Sequence, residues 1–126
     1  MRAALPSLDD EFLAGLGEQA VRLVCAGNLH SLHTQFGYAL AFDREPIEAL
    51  KEDVAAVLAE IEAQCFGDQS QLSVEVSHFK PNDTGLRSLV ECLLPANNGR
   101  LILVELVVST SGSESFLTLE QISAVT

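Results

Sequence analysis

Residues 89–108 read LVECLLPANNGRLILVELVV, two runs of aliphatic residues on either side of Asn97-Asn98-Gly99. Both runs are rich in Val, Ile and Leu, and the turn formers between them mark a β-hairpin. A one-residue slip of register exchanges the two faces of each strand, so the length of the loop decides what the sheet buries. A three-residue loop with Gly99 in the left-handed position pairs Ala96 with Arg100, Leu94 with Ile102, Cys92 with Val104 and Val90 with Leu106. One face is then wholly apolar: Val90, Cys92, Leu94, Ile102, Val104, Leu106 and Val108, with Leu72, Val74 and Val76 from a preceding strand. A two-residue Asn98-Gly99 turn sets Cys92 against Glu105 and mixes charge into both faces, so the three-residue loop ranks first.

That register leaves a second face built from Leu89, Leu93, Leu101, Leu103, Val107 and Phe79, with Arg87, Ser73 and Ser77 at its margins. Such a face is too apolar for one meant to meet water. Glu91 lies directly opposite Glu105 in it, and Glu75 falls in the same row. Like charges opposed across strands destabilise unless a proton, a cation or a basic side chain relieves them. Three coverings are open: the segment 29–42 or the C-terminal turn of the same chain, a second copy of the protein, or a different protein or apolar ligand.

Upstream of Gly67 the apolar residues recur at helical spacing rather than alternating. Asp9 or Asp10 can cap a helix running to about Ala26, stopped by Gly27-Asn28, with Phe12, Leu13, Leu16, Ala20, Leu23 and Val24 on one face. Residues 29–42 fit a second short helix that Gly37 weakens. The clearest helix is 45–64, with Pro46 in its first turn and Ile47, Leu50, Val54, Val57, Leu58 and Ile61 spaced three and four apart. Residues 72–79 alternate as a strand. Residues 116–118 could add a fourth short strand; Thr118 and Gln121 then have capping-box spacing and Leu117 with Ile122 makes the matching staple, so a short helical turn is expected to end the chain, with one longer final strand as the alternative. The fold class is therefore α+β: two or three N-terminal helices packed on a three- or four-stranded antiparallel meander, with a short C-terminal helical turn.

The chain has 126 residues, 48% of them hydrophobic and 20% charged, with mean hydropathy +0.24. This is the composition of a single α+β domain spanning 1–126. Eighteen acidic against seven basic residues give a formal net charge of -11. Nucleic acid and anionic membranes are thereby disfavoured as partners, because both are held through clustered Lys and Arg. Cys25, Cys65 and Cys92 are odd in number and lie in apolar patterns, as reduced core thiols do, so a cytoplasmic location is the default expectation.

Candidate chemistry is sparse. Cys25, His30 and His33 have a spacing that could ligate zinc from a helix, but lack the second close pair of a structural site. The reading therefore expects no metal and no cofactor. The Glu75, Glu91 and Glu105 row could serve as an acid pair or a divalent-cation site. Gly15 and Gly17 follow no strand and form no phosphate loop. The functional expectation is a non-enzymatic interaction domain of adaptor, chaperone-like or immunity type. Its partner is a second copy of itself or another protein, and its binding residues are Leu89, Leu93, Leu101, Leu103, Glu91, Glu105 and Arg87. The competing class is a small enzyme or divalent-metal-binding protein using the glutamate row, with no catalytic residue assigned.

Overall fold

The computed structural model describes residues 4–80 and 82–125. Three α-helices, α1 (Asp10–Ala26), α2 (Leu29–Phe36) and α3 (Pro46–Glu60), precede an antiparallel sheet of β1 (Ser73–His78), β2 (Leu86–Pro95), β3 (Leu101–Ser111) and β4 (Glu114–Ala124). The strands lie in the order β1-β2-β3-β4, each beside its neighbour in sequence. A short 3-10 turn at Ala39–Ala41 lies between α2 and α3, and another at Gln69–Gln71 leads into β1.

The helices begin and end where local chemistry directs. Gly27 takes φ 72° and stops α1, while the Asn28 N–H reaches back to the Leu23 carbonyl at 2.9 Å, the six-to-one bond of a Schellman ending. The Asn28 side chain then caps α2 by accepting from the Ser31 N–H. Gly37 ends α2 at residue 36, so the helix anticipated over 29–42 is shorter. Beyond it Tyr38 makes an isolated parallel bridge to Leu119 on the outer edge of β4. Glu45 caps α3 by accepting from the Ile47 and Glu48 N–H groups, with Pro46 at the first position. The helix stops at Glu60, before the expected residue 64.

The hairpin register is the one the three-residue loop requires. Val90 pairs with Leu106, Cys92 with Val104 and Leu94 with Ile102, and Gly99 has φ 85°. The loop also fastens the end of α3. Asn98 Nδ2 donates to the Ile61 and Glu62 carbonyls, and Asn97 Oδ1 accepts from the Gln64 and Cys65 N–H groups. These bonds satisfy backbone groups that a helix end leaves unpaired.

Ser88, Val90, Cys92 and Leu94 of β2 and Ile102, Val104, Leu106 and Val108 of β3 face the helices and are buried, together with Leu117, Leu119 and Ile122 of β4. They form one core with Leu13, Ala20, Val21, Val24, Leu32, Phe36, Leu50, Val57 and Ile61. Helix α1 lies over β1 and β2, and α3 over β4. Gly17 is where α1 comes closest to the sheet: a Cβ there would sit 2.9 Å from both Cys92 Sγ and Val90 Cγ1. Its role is close packing.

The helical turn expected at the C-terminus is instead the long strand β4. Pairing with residues 102–111 of β3 gives the segment a backbone ladder along its inner edge, which a single capped turn cannot match. A bulge at residues 120–121 shifts the phase, so that Leu119 pairs with Leu106 and Gln121 with Glu105.

Candidate interaction face

On the side of the sheet away from the helices, one row of side chains crosses all four strands. Glu75 pairs with Glu91, Glu91 with Glu105, and Glu105 with Gln121. Leu93 and Leu103 form the next pair toward the hairpin loop, followed by Leu101. Leu89 and Val107 pair on the other side of the row. The sequence reading placed Glu91, Glu105, Leu89, Leu93, Leu101 and Leu103 on one face, and the structure brings them together there.

Of the three coverings left open by the sequence, the one from within the chain is not used. The helix begun at residue 29 packs into the core on the opposite side of the sheet, and the C-terminal segment is an additional strand within it. Among the described residues no element lies over the face, and its residues remain half-exposed, with Leu101 at 38%. Ser73, Glu75, Glu91, Leu93, Leu103 and Val125 line a shallow groove of about 230 Å³ on it.

Within the row, the Glu105 carboxyl is held above the ordinary glutamate range. Partial burial is the main cause, and the charges of Glu91 and Glu120 add to it. Gln121 Nε2 donates to Glu105 Oε1 at 3.4 Å and works in the opposite direction, as donation to a carboxylate does. Arg87 does not neutralise the row. It occupies an irregularity of β2 between Leu86 and Ser88, and its Nε donates to the Thr110 hydroxyl at 3.2 Å.

The histidines and cysteines do not converge. Among the described residues no group of three or more His, Cys, Asp or Glu side chains is arranged to hold a metal ion. Burial pushes the Cys25 thiol up to about 11 and the Cys92 thiol up to about 12, so both are protonated at neutral pH and poor nucleophiles. The sequence reading missed one arrangement entirely. His78 Nδ1 lies 2.7 Å from Ser88 Oγ, and His78 Nε2 contacts Asp10 Oδ1. Although the residue types suggest nucleophilic catalysis, Ser88 is 1% exposed and out of reach of a substrate. The line instead ties the start of α1 to β1 and β2. With Asp10 and His78 separated by 68 positions in the chain, no local spacing could have revealed it.

A separate cavity of about 290 Å³ lies between residues 4–6, α1 and α2, lined by Leu5, Pro6, Phe12, Leu16, Phe36 and Leu117 among others, with no charged side chain in its wall. Among the described residues no helix is long and apolar enough to cross a membrane. No protein-family model, curated protein or solved structure matches the chain.

Proposed function

We propose that the chain is a small protein-interaction domain that assembles as a homodimer through the open face of its sheet. One observation carries this reading: the helices bury the centre of one face, whereas Leu89, Leu93, Leu101, Leu103 and Val107 on the other have no described element packed over them. Apolar surface of this kind gains roughly 25 cal/mol for each Å² withdrawn from water.

Size supports the reading. Four strands about 4.8 Å apart, with some eight residues each at about 3.3 Å, present on the order of 500 Å² in projection. Two such faces closing on each other bury about 1,000 Å², the lower bound for a specific interface.

Charge fixes where the two-fold axis passes. Superposing two glutamate rows would desolvate like charges against each other. An axis through the Leu93–Leu103 pair avoids this, because each row then lies about 6.7 Å from the axis, on opposite sides. The rows are then about 13 Å apart, which reduces their mutual repulsion in inverse proportion to distance. The competing use of the row as an acid pair or cation site lacks the enclosing cleft that such chemistry needs.

Sedimentation equilibrium of the purified chain tests the proposal. The expected result is a dimer that Leu93→Lys and Leu103→Lys each convert to a monomer with an unchanged circular dichroism spectrum. A wild-type chain that stays monomeric up to roughly millimolar concentration would overturn it and leave the face to a foreign partner.

A further inference from the structure

Residue 42 stands apart from the rest of the surface. It is a phenylalanine, it is 81% exposed, and its backbone takes φ 52° and ψ -121°. The Arg44 N–H donates to the Ala41 carbonyl at 3.0 Å, so residues 41–44 form a tight turn. These angles at its second position are those of a type II′ turn, a place that glycine fills without strain and a bulky side chain does not. A strained residue whose ring contributes little to the core persists only where its surroundings enforce it.

The surroundings do enforce it. Arg44 Nη2 donates to the Leu40 carbonyl at 2.6 Å and Nε to the Ala41 carbonyl at 3.3 Å. The same guanidinium grips both carboxylate oxygens of Asp53 on α3, at 3.0 and 3.1 Å. The Tyr38 hydroxyl donates to Asp53 from the other end of the segment. Arg44 holds Asp53 ionised, and burial together with that carboxylate keeps the Tyr38 proton in place. The turn is thus fastened at residues 38, 40, 41 and 44, and the ring between them projects into solvent.

The border of the ring is negative. Asp43 and Glu45 in the same segment are exposed, and the Arg44 guanidinium is shared between the carboxylates of Glu52 and Asp53 at 3.2 and 3.0 Å. We infer that the 41–44 turn is a second docking element, on which Phe42 enters an apolar pocket of a different protein whose mouth carries Lys or Arg. A buried aromatic anchor within a complementary charged rim is how small contacts acquire affinity and speed of association. Among the described residues, the apolar cavity between residues 4–6, α1 and α2 has no basic residue in its wall, so it does not offer such a receptor to a second copy of this chain. The inference does not depend on the sheet-face dimer.

The experiment places p-benzoyl-phenylalanine at position 42 of the full chain in its native cells, with the same analogue at exposed Gln71 as control. The protein crosslinked from position 42 is identified, purified and titrated with the wild type, Phe42→Ala, Asp43→Lys and Asp83→Lys. The expected result is a binding constant weakened about 30-fold or more by Phe42→Ala. Asp43→Lys and added salt should weaken it too, while Asp83→Lys, the same charge change on the exposed loop before β2, should weaken it less. Absence of an adduct beyond the Gln71 control, or binding indifferent to Phe42→Ala, overturns the proposal. Phe42→Gly adds a readout independent of any partner: its melting temperature should equal or exceed the wild type, whereas a clear fall would make the ring structural and overturn the proposal as well.

Discussion

Glu91 and Glu105 are direct partners across β2 and β3, two carboxylates side by side between the aliphatic pairs Leu89–Val107 and Leu93–Leu103. Glu75 extends the opposition to β1, and no basic side chain among the described residues reaches the row. The arrangement costs stability when all members are ionised, and its relief is measurable.

Glu105→Gln is expected to raise the stability of the chain at neutral pH by about 0.5 kcal/mol, the usual size of a like-charge cross-strand pair. The native Glu105 carboxyl titrates above its unfolded value. Its favourable contribution is therefore complete below the ordinary glutamate pKa of about 4.3 and disappears as pH rises through the native value. Urea unfolding of wild type and variant should show the gap at pH 7 and its closure on acidification; a gap independent of pH would contradict the assignment.

Two glycines one turn-fraction apart should respond oppositely to alanine. At Gly17 the new methyl meets Cys92 and Val90 at 2.9 Å, and forcing α1 from the sheet is expected to cost about 1–3 kcal/mol. At Gly15 nothing lies within 4 Å of the added Cβ, so Gly15→Ala should stabilise the helix by about 0.5–1 kcal/mol. Thermal unfolding of the two variants side by side is the check.

Asn98→Ala removes both bonds to the α3 carbonyls and is expected to cost about 1–2 kcal/mol. Hydrogen exchange should show the loss as faster opening of residues 57–62, with the centre of β3 unaffected.

Asp53→Asn is expected to destabilise the chain by about 1 kcal/mol at neutral pH, a modest figure because the Arg44 partner is partly solvated. Arg44 holds the native Asp53 carboxyl below its usual range. The stabilisation is thus present above the ordinary aspartate pKa of about 3.9 and is lost as pH falls through the lowered native value. The difference between variant and wild type should therefore shrink in acid, and a difference that grows there would contradict the clamp.

What the sequence discloses follows from how locally each feature is encoded. The hairpin register is legible because Asn97, Asn98 and Gly99 set the loop and the aliphatic runs set the phase. The opposition of Glu91 and Glu105 comes with that register. Strand β4 is misread for an equally physical reason. Its bulge turns an alternation of two into the spacing Leu117, Leu119, Ile122, and Thr118 with Gln121 happens to match a helix cap. The Tyr38–Asp53–Arg44 clamp and the Asp10–His78–Ser88 line are invisible because only the folded chain brings their members together. Arg87 is on the expected strand, but the β2 irregularity redirects it to Thr110.

The bridge from Tyr38 to Leu119 has a meaning for solubility. β4 is an eleven-residue border strand, and such a border, with its amides and carbonyls unclaimed, is a template on which further chains can stack. Tyr38 occupies the middle of that border, and the residues that fasten Tyr38 also keep the template closed. Variants that loosen them are expected to aggregate on warming sooner than their loss of stability alone would imply.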